Sequence, residues 1–522
     1  MSPVFCRLLA AASLLIPAQS LAQNQTQFEK RFHRIMERPE YKHSRFGVEV
    51  YSIDDGKVLY SWNPQELFVP GSTTKVLTIG TALQLLGSDF RFHTRIYRTG
   101  LVSNGTLTGE LVLVASGDPD LSNRIRPDGT LAFENEDHSY DGFAAAKPVA
   151  GDPLTVIKKL AGQVVASGIK RVQGRVVVDA SLFPEGDREL GTGVVISPIV
   201  VNDNLVDVMV TPGTHPSDAA SISIAPQTSY VTIRNEVKTG APGSKMELNW
   251  TNDTATADGK HTVVLGGVIA VDANPKLRVY KVPVPSRFAE VVLTEALESL
   301  GVQIEASIPR QTSLPHLYKA EDLVAEHVSL PLKEEAKVTL KVSQNLHASM
   351  FPFIVGAYGD KGSSDALQAG FDQERKMLEK ADLDLTAAVQ SDGAGGDAMF
   401  TPDLMVRFLL HVNQQSFAAD FKNDLPVLGK DGTLVEIQMN SPAAGHVFAK
   451  TGTYGTGNAL SHGGVVVGKG LAGFIDAKDG RHFAFAAYIN FVPLKEMDEQ
   501  SVKNVGEAVG EIAAAAYDGF TP

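Results

Sequence analysis

The sequence predicts a mixed α/β (α+β) domain that is interrupted by a β-rich insertion of one or two subdomains. Residues 23–90 carry a hairpin pattern followed by an apolar helix pattern. Residues 91–304 carry short strand patterns separated by turn residues, and residues 305–522 return to helical patterns before two strands and a last helix. An insertion of roughly 200 residues has an ordinary domain size. One domain split by such an insertion accounts for this order of patterns.

The first part of the split domain begins with a hairpin signal and a buried helix. Residues 46–62 alternate apolar and polar residues on either side of Asp55-Gly56, a dipeptide that suits a tight turn. Residues 73–87 form a helix pattern that is apolar on most faces and ends at Gly87. A helix that is apolar all round belongs in a core, so we expect this helix to be buried.

The predicted insertion is a series of short strands with one helix inside it and another at its end. The inner helix begins at Asp152 and Pro153, which suit a cap and a first helical position, and it ends at Gly168. The closing helix covers residues 288–301. The strand patterns cover residues 109–116, 174–183, 204–213, 221–226, 230–237 and 261–271.

The second part of the split domain returns to helical patterns. They cover residues 330–356, 401–415 and 501–517. Two strand patterns, at residues 445–453 and 481–491, precede the last helix.

Composition excludes one class of partner. The chain has 522 residues, enough for two or three domains, and 43% hydrophobic and 20% charged residues are ordinary for a globular protein. A formal net charge of −13 argues against a nucleic-acid partner, which usually meets a basic face. The chain has no His-Glu-x-x-His sequence and no cysteine pair, so we expect neither a metal site nor a cofactor.

The N-terminal 22 residues are typical of a signal peptide. Arg7 supplies the positive charge, an apolar run follows it, and Ser20-Leu21-Ala22 suits cleavage. This run is too short for a stable membrane anchor, and no later run reaches 18 apolar residues, so we expect no transmembrane anchor. We therefore expect an exported protein in the periplasm or cell envelope. An uncleaved N-terminus is the alternative, because the charged region is thin.

Three short motifs lie in the two parts of the split domain. They are Ser72–Lys75 (Ser-Thr-Thr-Lys), Ser343–Asn345 (Ser-Gln-Asn) and Lys450–Thr453 (Lys-Thr-Gly-Thr). The first lies at a helix start, where positions i and i+3 share a face. The second falls where one helix ends and the next begins, and the third ends a strand. Each motif is a weak signal alone, but their order and settings together favour a catalytic site.

These residue types suit nucleophilic catalysis. The Ser72 hydroxyl is a poor nucleophile unless a neighbour removes its proton, and Lys75 can do so only when it is neutral. Burial in the apolar helix, or the charge of Lys450, would lower the Lys75 pKa. Ser343 could relay a proton to a leaving amine, and Asn345 could hold a substrate amide.

The third motif suits recognition of an anionic substrate. The backbone N–H groups of Ser72 and Thr453 could converge on a developing oxyanion. Lys450 and the hydroxyls of Thr451 and Thr453 would attract a substrate carboxylate. Gly452 would let a ligand lie close to the backbone.

Each of these residues also has a structural interpretation. Ser72 could be an ordinary N-cap, because serine is favoured there. Ser343 and Asn345 could be polar loop residues, and Lys450 a solvated charge on an edge strand. The three motifs in this order nevertheless favour catalysis.

The motif trio resembles that of the serine β-lactamases and penicillin-binding proteins. Ser72 and Ser343 lie 271 positions apart (343 minus 72), and this spacing resembles the low-molecular-mass class C penicillin-binding proteins, which carry a large insertion there. Further segments that resemble this family lie at residues 116–121, 176–183, 202–208, 391–396 and 425–434. The resemblance covers nearly the whole chain after the signal peptide.

The resemblance implies a penicillin-binding/transpeptidase-like fold and a D-alanyl-D-alanine carboxypeptidase or endopeptidase that acts on peptidoglycan stem peptides. It implies Ser72 as the acylated nucleophile, Lys75 as the base, and β-lactam antibiotics as acylating inhibitors. Asp179 matches a family position that helps to recognise the amino end of the stem's diamino acid. The second motif departs from the family, because many members have Ser-Asp-Asn where this chain has Gln344. Two alternatives stay open, a β-lactamase or esterase on the same fold and a non-catalytic wall-binding protein.

Overall fold

The computed structural model describes residues 26–307, 317–360 and 362–520. The predicted signal peptide lies outside these residues. Among them, no helix combines the length and the apolar character that crossing a membrane requires.

The described α-helices are, in chain order, α1 Gln27–Met36, α2 Thr74–Leu86, α3 Thr155–Ala166, α4 Pro285–Ser299, α5 Leu332–Lys341, α6 Asn345–Gly359, α7 Ala366–Lys380, α8 Pro402–Asn413, α9 Ala418–Asp424 and α10 Glu499–Asp518. The described strands are β1 Arg45–Ser52, β2 Lys57–Trp62, β3 His93–Arg98, β4 Leu101–Ser103, β5 Thr106–Thr108, β6 Leu111–Val114, β7 Arg171–Val172, β8 Val176–Asp179, β9 Leu205–Thr211, β10 Ser221–Ala225, β11 Val231–Gly240, β12 Glu247–Ala255, β13 His261–Ala270, β14 Lys276–Lys281, β15 Gln303–Ile304, β16 Leu323–Val328, β17 Ala388–Gln390, β18 Ala398–Phe400, β19 Val447–Asn458, β20 Gly463–Asp476 and β21 His482–Leu494. These elements confirm the mixed α/β prediction.

A five-stranded antiparallel sheet joins the two ends of the chain. Its strand order is β19-β20-β21-β1-β2. Along β21 alternate residues enter different cores, because successive side chains of a strand point to opposite faces. Phe483 and Phe485 pack with α1 and α10, whereas Ala484 and Tyr488 pack with α2, α6 and α8. The sheet therefore separates a helical layer that carries the site from a second layer formed by the chain ends.

The predicted elements of the first part are confirmed. β1 and β2 form the expected hairpin, and α2 is buried as far as Leu83 and ends before Gly87, whose φ is +94°. The inner helix of the insertion begins at Thr155, two residues later than predicted, because Asp152 accepts the Leu154 N–H in a turn before the helix.

The strand patterns of the insertion all have counterparts, namely β6, β8, β9, β10, β11 and β13. The boundaries of the insertion stay a prediction. β16 lies after residue 304, yet it pairs with β3 in the sheet β16-β3-β6-β8.

Two long strands, β12 and β20, were not predicted. Glycine is depleted in strands, but the structure requires the glycines of β20. A side chain at Gly473 would overlap the Phe448 carbonyl of the neighbouring strand, and one at Gly470 would lie 2.9 Å from the Tyr488 ring. Close strand packing therefore explains the glycines.

Candidate active site

The first motif forms a 3-10 turn that leads into α2. Gly71–Thr73 form the turn, and Thr73, not Ser72, is the N-cap residue of α2. The Thr73 hydroxyl donates to the Pro70 carbonyl at 3.0 Å. No side-chain capping bond from Ser72 is present at this helix start. The interpretation of Ser72 as an ordinary cap is therefore not supported.

Lys75 is the centre of the site. Its Nζ lies 2.8 Å from Ser72 Oγ, 2.7 Å from Asn345 Oδ1 and 3.2 Å from the Ala394 carbonyl oxygen. The side chain is fully buried, and this burial lowers the pKa of Lys75 to about 7, although the charge of Glu189 opposes the shift. Near neutral pH, a substantial share of the amine is therefore neutral and able to accept the Ser72 proton.

The second motif lies in the link between α5 and α6, as predicted. Ser343 has a left-handed φ of +63°, and Asn345 is the first residue of α6. Between them, Gln344 is fully buried and its side-chain oxygen accepts the Leu346 N–H at 2.9 Å, which caps α6. Asn345 thereby faces Lys75 across the start of two helices.

The third motif lies inside β19 and not at a strand end as predicted, because the long pairing with β20 extends the strand to Asn458. A Cβ at Gly452 would overlap the Pro70 carbonyl oxygen, and one at Gly71 would lie 2.6 Å from the Thr453 nitrogen. Gly452 therefore admits the turn of the first motif, and its role in admitting a ligand stays a prediction.

Lys450 is fully buried, and its Nζ donates to the Thr451 carbonyl at 2.9 Å. Burial lowers the Lys450 pKa well below its ordinary value, and the nearby charges of Lys75 and Lys469 lower it further. The interpretation of Lys450 as a solvated edge charge is therefore wrong.

Lys469 is a site residue that the sequence did not reveal. It lies on β20 opposite Thr453, and its Nζ donates to the Thr453 hydroxyl at 2.7 Å. The residue is only 8% exposed, and burial lowers its pKa to about 8. The signal would have been a lysine in register with Thr453, which required β20 to be predicted first.

A tight loop completes the surroundings of Lys75. The Asp392 carboxylate accepts the backbone N–H groups of Ala394 at 2.6 Å and Gly396 at 2.9 Å, which directs the Ala394 carbonyl toward Lys75. From the predicted insertion, Gly191 lies so close to Asn345 that a Cβ would overlap the Asn345 amide. Sequence reasoning had marked the segment 391–396 only by resemblance.

Asp179 is not bonded to the three motifs among the described residues. It ends β8, and its carboxylate accepts the Tyr318 hydroxyl at 2.5 Å and the Ser181 N–H at 3.0 Å. Within residues 26–307, 317–360 and 362–520, no hydrogen bond or ion pair joins it to a motif residue. Its role in substrate recognition stays a prediction.

One group of side chains in the described ranges has the spacing of a metal site, Asp137 with His138 and Asp203. The guanidinium of Arg124 already lies between the two carboxylates, at 2.6 Å from Asp137 and 2.7 Å from Asp203. The group therefore holds a protein cation, and we assign it no metal.

The sheet, the helical layer and the three converging motifs define the class of the penicillin-binding serine enzymes. The chain belongs to the D-Ala-D-Ala carboxypeptidase 3 (S13) family, whose family model matches residues 28–515. The match confirms the predicted family resemblance and the predicted enzyme class.

Individual relatives agree with this assignment. The chain is 26% identical over 459 residues to a D-alanyl-D-alanine carboxypeptidase of Actinomadura sp. (strain R39), covering 84% of this chain and 78% of the relative. It is 24% identical over 469 residues to the D-alanyl-D-alanine carboxypeptidase DacB of Haemophilus influenzae, covering 86% and 85%. The crystal structure of penicillin binding protein 4 (dacB) from Haemophilus influenzae matches with a TM-score of 0.71 at 20% identity, over 93% of this chain and 98% of that one. That structural match confirms the fold.

Proposed function

We propose that this carboxypeptidase is exported and hydrolyses peptidoglycan stem peptides, at the terminal D-Ala or at a cross-link, through an acyl-enzyme on Ser72. One observation carries the proposal. A buried lysine, Lys75, lies within hydrogen-bonding distance of both the Ser72 hydroxyl and the second motif. Export rests on the signal-peptide pattern of residues 1–22.

Acylation follows from the position of Lys75. As Ser72 Oγ attacks the carbonyl carbon of the penultimate D-Ala, its proton passes to the neutral amine of Lys75. The backbone N–H groups of Ser72 and Thr453 stabilise the oxyanion. When the C–N bond breaks, Ser343 passes the proton from Lys75 to the departing amine.

Deacylation reverses these roles. Water attacks the ester carbonyl and gives its proton to Lys75, and the tetrahedral intermediate then releases the carboxylic acid as Ser72 Oγ recovers that proton. Asn345, through its bond to Lys75, keeps the amine oriented in both steps.

The carboxylate of the substrate binds beside the third motif. Lys450 and Lys469 are both buried, and among the described residues neither forms an ion pair with a carboxylate. A bound carboxylate supplies the missing negative charge. It restores the ammonium form of Lys450 and strengthens that of Lys469, whose pKa of about 8 already leaves it mostly charged at neutral pH. The Thr453 hydroxyl accepts from Lys469 and can donate to the same subsite. The Thr451 hydroxyl is bonded to the Thr433 hydroxyl at 2.8 Å and would exchange that bond for one to the substrate. Asp179 is proposed to meet the amino end of the diamino acid.

β-Lactam antibiotics are proposed to acylate Ser72. Support comes from a relative, since penicillin binding protein 4 of Haemophilus influenzae has been solved in complex with a novel β-lactam. In this chain the same attack needs only Ser72 and Lys75 in the geometry described above.

The test is labelling of the purified chain with a fluorescent penicillin, followed by intact mass. Ser72→Ala is compared with the wild type and with Ser391→Ala, a control at an exposed serine of the neighbouring loop. We expect a stable adduct that is lost only in Ser72→Ala. Labelling that vanishes as the drug is hydrolysed would indicate a β-lactamase. No adduct and no drug loss in a folded wild type would overturn the catalytic proposal in favour of a wall-binding protein.

A further inference from the structure

The second motif is bonded to the predicted insertion at two consecutive residues. The Tyr140 hydroxyl donates to the Ser343 carbonyl oxygen at 2.5 Å. The Gln344 side-chain amide donates to Asp137 Oδ1 at 3.0 Å and to the Ser139 hydroxyl at 3.3 Å. A single short segment of the insertion, Asp137–Tyr140, therefore holds both residues that precede Asn345.

The backbone at Ser343, which these bonds hold, has an unfavourable conformation. Ser343 is a non-glycine residue with φ of +63°, a conformation that costs free energy and persists where surrounding contacts fix it. The Gln344 side-chain amide bonds two parts of the protein. Its oxygen accepts the Leu346 N–H and caps α6, and its nitrogen donates to Asp137 in the predicted insertion. The direction of α6, and with it the position of Asn345, is thereby tied to the insertion.

Behind the segment lies a buried ionic network. Arg124 bonds Asp137 at 2.6 Å and Asp203 at 2.7 Å. His138 lies between Asp203 and Asp207, with both distances 2.7 Å. All five side chains are buried, and such charges persist in an interior only when they are paired and hydrogen-bonded. The segment is therefore anchored rigidly.

The network also reaches the two helices that flank the second motif. His347 on α6 bonds Asp203 at 2.7 Å and lies 2.6 Å from the Glu335 carboxylate on α5. Asp203 is held at this point by a left-handed turn, Asn202–Asn204, whose three non-glycine residues all have φ between +50° and +54°. Neighbouring carboxylates raise the pKa of His138 and His347, so both are cationic at neutral pH.

We propose that Asp137–Tyr140, a segment of the predicted insertion, is a positioning element for the second motif. It sets Ser343 and Asn345 against Lys75. The inference rests on the proposed roles of Ser72 and Lys75. Asn345 lies 2.7 Å from the Lys75 amine, so a small shift of the α6 start changes the contact that orients the base. None of these insertion residues touches the reacting atoms.

The first test removes one hydroxyl. Tyr140→Phe loses the bond to Ser343 and keeps the ring, and Tyr280→Phe is its control, because that hydroxyl bonds Asp253 at 2.9 Å within the insertion. We expect acylation of Ser72 by a fluorescent penicillin to slow by about 10- to 100-fold in Tyr140→Phe. We expect less than about a twofold change in Tyr280→Phe, and the melting temperatures show that both variants are folded.

The second test exchanges the donor and the acceptor of the hydrogen bond between Gln344 and Asp137. Gln344→Glu places two carboxylates at hydrogen-bonding distance and should slow acylation, whereas Asp137→Asn supplies an amide that can donate to the new glutamate. We expect the double variant to acylate faster than Gln344→Glu alone. Residues that do not affect acylation through this contact would give losses that add.

Slow acylation of a folded Tyr140→Phe together with this rescue supports the proposal. A wild-type rate in Tyr140→Phe, or additive losses in the double variant, overturns it. If Tyr140→Phe does not melt cooperatively, the exchange at Gln344 and Asp137 decides alone. Failure of the proposed function is seen separately, because the wild type would then form no adduct on Ser72.

Discussion

Replacing Asn345 by aspartate tests whether Lys75 acts as a neutral base. The substitution preserves shape but places a negative charge where Asn345 Oδ1 now lies, 2.7 Å from the Lys75 amine. A unit charge pair at that distance interacts by about 6 kcal/mol at an effective dielectric constant of about 20, and by about 1.5 kcal/mol in water. Because each pKa unit corresponds to about 1.4 kcal/mol, the Lys75 pKa should rise by at least about one unit.

The consequence appears in the pH dependence of acylation. With a pKa of about 7, Lys75 in the wild type is neutral in about half of the molecules at pH 7, and acylation should rise with pH around that midpoint. In Asn345→Asp the charged form is favoured, so the midpoint moves upward and the rate at pH 7 falls by about fivefold or more.

The assay is the second-order rate of penicillin acylation, measured between pH 5 and about 10 by rapid mixing. Asn135→Asp is the control, because this exposed residue also bonds through its side-chain oxygen, to the Gly432 N–H at 2.8 Å. Its midpoint should stay that of the wild type. A slower Asn345→Asp with an unchanged midpoint would refute the role of Lys75 as the titrating base.

Three further outcomes follow from buried charges. Lys469→Met should lower kcat/KM by about 10- to 100-fold for a peptide that ends in a free D-Ala carboxylate, and by much less for the same peptide with a C-terminal amide. Equal losses on both peptides would show that Lys469 does not bind the substrate carboxylate. Burial raises the Glu374 pKa to about 7, so the folded protein binds more protons than the unfolded chain between about pH 4.5 and 7 and loses stability there as pH rises. Glu374→Gln keeps the bond from Thr81 and should raise the free energy of unfolding at pH 8 by about 1–3 kcal/mol, measured with denaturant. No gain would contradict a buried charge at Glu374. The ion pairs of His347 raise its pKa to about 10, so the stability that they contribute is complete below about pH 6.5 and is lost as pH rises toward 10. The melting temperature of His347→Gln should therefore fall less steeply with pH over that range than that of the wild type. An unchanged slope would contradict the ion pairs.

The sequence predicted those features that depend on neighbours along the chain. The β1–β2 hairpin, the burial of α2 and the helix junction at Ser343 follow from local patterns of apolar residues, turns and glycine. The motif residues were found for the same reason, because each motif is contiguous in sequence.

Features that depend on distant neighbours were missed. β20 was hidden because its glycines serve close strand packing, and without β20 the register that brings Lys469 to Thr453 could not be deduced. Gln344 looked like a mild departure from the family motif. Its partner Asp137 lies 207 positions earlier in the chain, and no local pattern connects the two.

The same separations along the sequence determine when the active site forms. Arg45 pairs with Asn490 across the central sheet, so β1 has no neighbour on that side until nearly the whole chain has been made. Ser72 is synthesised 378 positions before Lys450 (450 minus 72), and the turn that carries it meets the third motif where Pro70 lies against Gly452. Non-local pairings of this kind form late and slowly in folding. Until they form, Lys75 has no Asn345 beside it, so the proposed nucleophile Ser72 becomes reactive only as the fold is completed.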